Sequence, residues 1–246
     1  MEQNIVSKKE PLGCGYYINV SGNHTFGTDA VLLSDFASSK RVNKHCDLCA
    51  GCGIISMLLL RDGTVGHSDA VEICPEAVAL ARRTAAEYAE DTLSVVHADL
   101  KELKGILPFG EYDLVTCNPP YKADGTGIIS LSDTDKVARH ETACSLEDVI
   151  ISASRLLKSS GRLCICQRPE RLGDMICLMR QYKVEPKTVR FVAKKAGQEP
   201  WLVLLEGRRD GKSGMRVMPT LYVYDNDGNY SEEMLKIYGP YKEGHI

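Results

Sequence analysis

The fold is decided by the stretch DLCAGCGIIS, residues 47–56, which joins an apolar run to the start of a helix. The apolar run His45–Cys49 predicts a strand that leads into this stretch. Glycines at such a junction let the backbone turn sharply and approach a ligand closely. A strand, a glycine turn and a helix in this order are typical of the ligand-binding edge of an α/β sheet. A plain strand-to-helix turn is the alternative interpretation.

Acidic residues stand at the ends of three successive predicted strands. Asp47 precedes the glycine turn, and Glu72 lies 19 positions after Gly53, where a carboxylate can bind a ribose diol. Asp47 would repel a pyrophosphate and attract a cationic amino acid moiety, so the sequence favours S-adenosylmethionine over NAD as the ligand. Asp99 ends the third strand, where it could accept a hydrogen bond from an adenine amino group. Alone, such a residue is equally typical of a helix cap.

A second motif, NPPY at residues 118–121, directly follows the predicted strand Tyr112–Cys117. Proline fixes φ and removes a donor, so this loop has little freedom and the Pro119 carbonyl is left as an acceptor. That carbonyl and the amide oxygen of Asn118 suit a flat –NH2 group with two N–H donors. The ring of Tyr121 could stack on the group that carries it. The motif therefore predicts chemistry on an exocyclic amine or an amide nitrogen.

Strand-like and helix-like segments alternate along the chain. This alternation predicts an α/β fold with a seven-stranded, mostly parallel sheet and helices on both faces. The glycine turn, Glu72, Asp99 and the NPPY motif then lie at the carboxyl ends of four successive strands. Open α/β sheets bind ligands at these ends. The seven predicted strands are His45–Cys49, Asp69–Ile73, Leu93–Ala98, Tyr112–Cys117, Arg162–Gln167, Thr188–Ala193 and Trp201–Glu206.

Helices are predicted at Thr28–Ser38, which opens with residues that can cap it, at Pro75–Glu90, and at Ser145–Ser159, capped by its serine and stopped by Gly161. The tail 217–238 predicts a strand, a turn at residues 225–228 and a short helix. We expect one domain, 1–246, made of an N-terminal segment with the first helix (1–40), a catalytic core (41–216) and a C-terminal strand and helix appendage (217–246).

The net charge of −3 conceals a basic segment, residues 180–216. This basic segment contains ten Lys/Arg and four Asp/Glu, so it carries +6 and the remainder carries −9. A basic face on an acidic body fits a polyanion partner. The alternative interpretation is a solvated surface that binds no partner. We expect this segment to lie on the side of the ligand pocket and to bind such a polyanion.

The ten cysteines lie mostly in apolar runs, and the polar start Met1–Glu10 has no apolar signal core. Buried, reduced thiols in a cytoplasmic protein are therefore the preferred interpretation, with no membrane span. Cys46, Cys49 and Cys52 have a metal-like spacing, but no second ligand pair accompanies them, so no metal is expected.

Together, the glycine turn, the three acids and the NPPY motif resemble the class I S-adenosylmethionine-dependent methyltransferases of the Asn-Pro-Pro-Tyr group. Three flanking segments are further similar to the bacterial tRNA1(Val) adenine-N6 methyltransferases: FGTDAVLL at residues 26–33, ARHE at 138–141 and the tail 219–238. The resemblance covers nearly the whole chain and implies a Rossmann-like class I methyltransferase fold. One departure is Cys49, which stands where the family pattern usually has glycine, so its Cβ is expected to narrow the cofactor turn.

The resemblance implies methylation of the N6 amine of a tRNA adenine next to the anticodon, with tRNA as partner. It implies catalytic roles for Asn118, Pro119, Pro120 and Tyr121. It implies that S-adenosylmethionine is bound by Thr28, Asp29, Asp47, Gly51, Gly53, Glu72, Asp99, Leu100 and Asn118. Substrate RNA is assigned to Arg139, His140, Lys194, Lys195, Arg208 and Arg209.

Three other functions use the same residue types. Protein-glutamine methyltransferases of the release-factor type use the same four-residue motif, but they resemble chains with an additional N-terminal helical domain. DNA adenine methylation would require a sizeable target-recognition domain, for which the chain has little room. An RNA-binding protein without activity would have little use for an intact NPPY motif.

Overall fold

The structure is a computed structural model that describes residues 7–120 and 144–242. Tyr121, Arg139 and His140 lie outside the described residues. All seven predicted strands are confirmed, most of them a few residues longer than expected. The strands are β1 (Lys8–Gly13), β2 (Tyr16–Val20), β3 (Val42–Leu48), β4 (Val65–Glu72), β5 (Leu93–His97), β6 (Tyr112–Cys117), β7 (Leu157–Gln167), β8 (Val184–Ala193), β9 (Pro200–Arg209), β10 (Arg216–Val217) and β11 (Leu221–Tyr222).

The main sheet has the order β10-β8-β9-β7-β6-β3-β4-β5, and β11 also pairs with β8. Strands β3 to β7 pair in parallel, whereas β9 runs antiparallel to both β7 and β8. The mostly parallel sheet is thus confirmed, and the short strands β10 and β11 raise the expected seven strands to nine. The carboxyl ends of β3 to β8 meet at one edge of the sheet, which we call the carboxyl edge.

Helices cover both faces of this sheet, as predicted. One core contains side chains of α1, α2, α3 and α6, and the other contains side chains of α4 and α5. Among the described residues, no helix is long and apolar enough to cross a bilayer. The helices are α1 (Thr28–Ala37), α2 (Ile54–Arg61), α3 (Pro75–Tyr88), α4 (Leu146–Leu156), α5 (Leu172–Gln181) and α6 (Glu232–Lys242).

Helix α4 begins as predicted and ends earlier. Ser145 and Asp148 form a reciprocal capping box, in which Ser145 Oγ accepts from the Asp148 N–H at 3.1 Å. The predicted end at Ser159 is wrong, because the chain is already extended in β7 from Leu157. Gly161 does not stop the helix. It lies where β7 passes β6 at a register shift, and a Cβ there would stand 2.8 Å from the Tyr112 carbonyl oxygen.

The hairpin β1–β2 was not predicted. Its turn, Gly13-Cys14-Gly15, has positive φ at all three residues, and Leu12 and Ile18 on its strands are fully buried. The backbone N–H of Asn19 donates to Thr84 Oγ1 of α3 at 2.9 Å. The glycine-rich turn at residues 13–15, followed by the apolar stretch Tyr16–Val20, was the available signal for this hairpin.

The predicted strand, turn and helix of the tail are confirmed as β11, residues 225–228 and α6. Ser231 Oγ accepts from the Met234 N–H at 3.2 Å at the start of α6. Met234 is fully buried, and Arg190 of β8 binds both carboxylate oxygens of Glu233, at 2.7 and 2.8 Å. The tail therefore packs into the core beside α1.

Candidate methyl-transfer site

The glycine turn stands at the carboxyl end of β3 with three residues in the left-handed region. Gly53 (φ 88°) is the N-cap of α2, Gly51 has φ 56° and Cys49 has φ 57°. A Cβ added to Gly51 would meet no described atom within 4 Å, so the turn borders open space. Cys49 therefore adopts a conformation that costs a non-glycine residue about 1 kcal/mol, which explains why glycine suits this position.

Glu72 links the glycine turn to the end of β4. Its Oε2 accepts from the Gly51 N–H at 2.8 Å, and its Oε1 accepts from the N–H groups of Ile73 at 2.9 Å and Cys74 at 2.8 Å. An ionised carboxylate offers about four acceptor positions, so these three bonds fix its orientation and leave room for a further donor such as a ribose hydroxyl. The side chain is buried beneath the turn.

Asp47 does not lie at the open surface of the turn, where a direct attraction for a cationic ligand was expected. Its side chain is 1% exposed, and it accepts from Thr116 Oγ1 at 2.6 Å and from Ser56 Oγ at 3.4 Å. Burial raises the pKa of Asp47 to about 7, although these hydroxyl bonds pull that pKa down. The period of two along β3 explains the placement, because Asp47 shares its face with His45, beneath α2.

A closed polar ring results from these contacts. His45 Nε2 lies 2.8 Å from Thr116 Oγ1, His45 Nδ1 lies 2.9 Å from Ser68 Oγ, and Ser68 Oγ lies 2.9 Å from Ser56 Oγ. With Asp47, five side chains share five hydrogen-bond contacts. All five side chains are buried.

The polar ring contains one hydrogen too few when Asp47 is ionised. Three hydroxyls and a neutral imidazole supply one hydrogen each, and a carboxylate supplies none. Burial, reinforced by the charge of Arg162, lowers the pKa of His45 to about 3, so the imidazole is neutral. A proton on Asp47 completes the ring, in agreement with the raised pKa of this carboxyl group.

Asp99 lies at the carboxyl end of β5 and caps the following 3₁₀ turn, Leu100–Glu102. Its Oδ1 accepts from the Lys101 N–H at 2.9 Å, and its Oδ2 lies 3.3 Å from Lys101 Nζ. The side chain of Leu100 is buried, and the Leu100 carbonyl accepts from Ser152 Oγ at 2.8 Å. Asp99 thus acts as the cap of this 3₁₀ turn, and it lies at the same edge of the sheet as Glu72.

Asn118 is held from two sides at the carboxyl end of β6. Its Nδ2 donates to Asp29 Oδ2 at 3.0 Å, and its Oδ1 accepts from the thiol of Cys166 at 3.1 Å. Asp29 lies in the first turn of α1, where Thr28 Oγ1 accepts from the Tyr238 hydroxyl at 3.1 Å. The contact between Asp29 and Asn118 joins residues 89 positions apart, and no motif predicted it.

The basic segment 180–216 does not form one face, which corrects the expectation that it lies beside the pocket. Lys194 and Lys195 follow β8 at the carboxyl edge. Because β9 is antiparallel, it carries Arg208 and Arg209 to the opposite edge, where they pair with Glu185 and Val184. Arg209 is also engaged internally, since its Nη1 donates to the Tyr182 carbonyl at 2.8 Å.

The cysteines do not form a ligand set. All ten are free, and Cys46 and Cys52 lie in separate cores. Cys49 Sγ instead lies 3.9 Å from Cys144 Sγ. Within residues 7–120 and 144–242, no three His, Cys, Asp or Glu side chains are grouped as a metal site would require.

Known proteins resemble this chain in sequence. The sequence pattern described as "Methyltransferase small domain" matches residues 22–192. A tRNA1(Val) (adenine(37)-N6)-methyltransferase of Porphyromonas gingivalis is 29% identical over an alignment of 224 positions that covers 87% of each chain. Its counterpart from Musicola paradisiaca is 34% identical over 155 residues, 62% of this chain and 61% of the relative.

Solved structures resemble the chain in fold. A protein described as a predicted O-methyltransferase from Agrobacterium tumefaciens superimposes with a TM-score of 0.69 at 18% identity, covering 87% of this chain and 97% of its own. The M. jannaschii tRNA m1G37 methyltransferase superimposes with a TM-score of 0.58 at 13% identity, covering 85% and 56%. At these identities the likeness concerns the class I methyltransferase fold alone.

Proposed function

The chain belongs to the methyltransferase small domain family, and we propose that it methylates the N6 amine of an adenine in tRNA, at position 37 of tRNA1(Val). The observation that carries this proposal is the Asn118 amide, which is held between Asp29 and Cys166 at the carboxyl edge. The position within tRNA is taken from the names of the relatives that span 87% of the chain. A protein glutamine is not favoured as substrate, because the same relatives carry a tRNA name.

S-adenosylmethionine is the cofactor, and the glycine turn fits it. No atom of the described residues lies within 4 Å of a Cβ built on Gly51, and Glu72 is oriented by three backbone N–H groups with an acceptor position to spare. We assign Gly51 and Gly53 to the close approach, Glu72 to the ribose and Asp99 to the adenine. Asp47 supports the turn from beneath. The cofactor supplies an electrophilic methyl group on a sulfonium.

The residues of the chain act on the amine that receives the methyl group. The N6 lone pair of adenine is delocalised into the ring, so the nitrogen is a poor nucleophile. We assign Asn118 Oδ1 and the Pro119 carbonyl to accept its two N–H bonds, which makes the nitrogen more tetrahedral and aims its lone pair. This is orientation and electrostatic stabilisation rather than base catalysis. Pro120 keeps the loop rigid, and Tyr121 is proposed to stack on the extruded base.

The RNA backbone is proposed to lie along the carboxyl edge. Lys194 and Lys195 follow β8 there. Arg139 and His140, outside the described residues, are proposed as further RNA contacts. Arg208 and Arg209 are withdrawn from it, because β9 carries them to the opposite edge. Because tRNA maturation is intracellular, we place the protein in the cytoplasm.

A transfer assay with a radiolabelled methyl donor tests the proposal. Unmodified transcripts of tRNA1(Val), the same transcript with guanine at position 37, duplex DNA and a release-factor protein are offered in parallel. We expect label only on the first transcript, in N6-methyladenine after nuclease digestion and mass spectrometry. Label on a protein glutamine or on DNA would contradict the proposed substrate. No label on any of them would contradict the proposed activity.

A further inference from the structure

We propose that Asp29 is a positioning residue for the reaction, because its carboxylate determines which way round the Asn118 amide stands. This inference rests on the proposed function, in which Asn118 Oδ1 accepts from the amine. The two ends of an amide are almost equal in shape and opposite in hydrogen bonding. An amide turned by 180° would present its own N–H groups to the N–H groups of the substrate, and the amine would lose its acceptor.

The partners of Asn118 select one of these two orientations. An ionised carboxylate only accepts, so Asp29 Oδ2, at 3.0 Å, requires the Nδ2 end of the amide. The opposite end is then Oδ1, which accepts from the thiol of Cys166 at 3.1 Å. The thiol is a weak donor, whereas a bond to a charged acceptor is roughly twice as strong as a neutral one. Of these two described contacts, the one to Asp29 therefore contributes more to the choice.

The local structure of α1 holds Asp29 in place. Its second oxygen, Oδ1, accepts from the Ala30 N–H at 3.0 Å, and the neighbouring Thr28 Oγ1 accepts from the Tyr238 hydroxyl at 3.1 Å. Gly27, the N-cap of α1, has an extended backbone (φ −109°, ψ 177°) that other residues also adopt. A Cβ on Gly27, however, would stand 2.7 Å from Asp29 Oδ1. A side chain at this position would therefore displace the Asp29 carboxylate.

Two roles for Asp29 make different kinetic predictions. If Asp29 contacts the cofactor, as the sequence resemblance implied, its loss weakens S-adenosylmethionine binding. If Asp29 acts through Asn118, its loss lowers kcat and leaves the affinity for the cofactor and the KM for tRNA nearly unchanged. The geometry favours the second role.

The test compares Asp29→Ala and Asp29→Asn in the wild type and in an Asn118→Ala background. We expect Asp29→Ala to lower kcat roughly tenfold to a hundredfold, the range of one charge-assisted bond. Asp29→Asn is expected to restore part of this loss, because its amide oxygen can still accept from Asn118 Nδ2. In the Asn118→Ala background, Asp29→Ala should change the residual rate less than about twofold, because the interaction it would remove is already absent.

A second variant displaces the carboxylate without replacing it. Gly27→Ala is expected to lower kcat in the same manner, since its Cβ would push Asp29 away from Asn118. Gly173→Ala is the matched control: a Cβ on that helical residue meets no described atom within 4 Å, and it should leave kcat unchanged. Melting temperatures of all variants show whether they fold.

The bond itself is measured by NMR of the Asn118 side-chain amide, assigned by its absence in Asn118→Ala. We expect its protons to exchange slowly with solvent in the wild type and quickly in Asp29→Ala. A weaker cofactor affinity in Asp29→Ala at unchanged kcat would overturn the inference, as would additive losses with Asn118→Ala or unaltered amide exchange. An inactive wild type with the expected exchange behaviour would contradict the proposed function alone.

Discussion

The carboxylate of Glu72 accepts a hydrogen bond from the backbone N–H of Gly51 at 2.8 Å, across 21 positions of sequence. This bond ties the end of β4 to the glycine turn at the end of β3. The same carboxylate is therefore both a structural partner of the turn and the proposed acceptor for the ribose. Its replacement should affect cofactor binding more than a contact with the ligand alone would suggest.

The first prediction concerns this carboxylate. Glu72→Ala should weaken S-adenosylmethionine binding by about 1.5–3 kcal/mol for each charge-assisted bond removed, measured by titration calorimetry. Glu72→Gln keeps the size of the side chain but places an N–H donor against backbone donors, so it should weaken binding as well. Glu76→Ala, half-exposed in the first turn of α3, is the control. Wild-type affinity in Glu72→Ala would remove Glu72 from the site.

The second prediction assigns the chemistry to Asn118. Asn118→Ala should lower the rate of methyl transfer by roughly a hundredfold or more, as for other preorganised polar groups. Cofactor affinity should change little, because the glycine turn and Glu72 are untouched. Single-turnover kinetics with saturating cofactor measure the chemical step. Transfer at a near wild-type rate would show that the amide does not orient the amine.

The third prediction follows from the missing hydrogen in the polar ring. The pKa of Asp47 is about 7 in the folded protein, against an ordinary value of about 3.9, so the folded state keeps a proton that the unfolded state has lost. This contribution to stability is fully present below about pH 4 and is lost as the pH rises through about 7. From pH 5.5 to pH 8 the loss is on the order of 2 kcal/mol.

The measurement is urea unfolding of the wild type and Asp47→Asn between pH 5.5 and pH 8. Asparagine supplies the ring hydrogen at every pH, so the wild type should lose stability relative to this variant as the pH rises. His45, with its pKa lowered to about 3, titrates in the opposite sense but is present in both proteins. Asp91→Asn, at an exposed carboxylate, is the control. If the difference in the free energy of unfolding between the wild type and Asp47→Asn does not vary with pH, Asp47 does not supply the missing hydrogen of the polar ring.

The fourth prediction concerns the tail. Met234→Ala should lower the free energy of unfolding by about 2–5 kcal/mol, because the side chain is fully buried in the core beside α1. The adjacent Leu235→Ala, at a residue that is 40% exposed, should cost much less. Chemical denaturation followed by circular dichroism compares the two. Equal and small effects would mean that the tail contributes little to the fold.

The sequence predicted those features that depend on neighbours along the chain. The apolar runs located seven of the nine strands of the main sheet, and Ser145 located the start of α4 through a local capping box. Gly161 was misread, because glycine ends helices but also relieves close strand contacts, and only the pairing with β6 distinguishes the two. The direction of β9 likewise depends on the sheet, and the sequence around Arg208 contains no sign of it.

The sequence predicted which motif residues lie at the carboxyl edge, but it did not predict the contacts that hold them in place. Motif spacing located the glycine turn and Asn118 at one edge, because successive parallel strands end together. The bond from Asp29 to Asn118 and the polar ring around Asp47 join residues from separate strands and helices. Such contacts depend on register and on helix packing, which periodicity alone does not determine.

The last prediction distinguishes the basic residues at the carboxyl edge from those at the opposite edge of the sheet. Lys194→Ala with Lys195→Ala, at the carboxyl edge, should weaken tRNA binding and reduce the slope of log affinity against log salt by up to about one for each phosphate that is no longer neutralised. Arg208→Ala with Lys212→Ala removes the same charge from exposed positions at the opposite edge. That pair should leave the slope unchanged, because no phosphate of a tRNA bound at the carboxyl edge reaches it.

Filter binding at several salt concentrations measures both slopes on the same transcript. The comparison is sharp because the two double variants lower the net charge equally, so a general loss of attraction would affect both alike. Equal losses would mean that tRNA is held by diffuse charge. A loss confined to the Arg208 and Lys212 variant would move the RNA to the other edge and contradict its delivery to Asn118. Cofactor affinity, measured in parallel, should be unaltered in both variants, since none of the four side chains belongs to the proposed cofactor site.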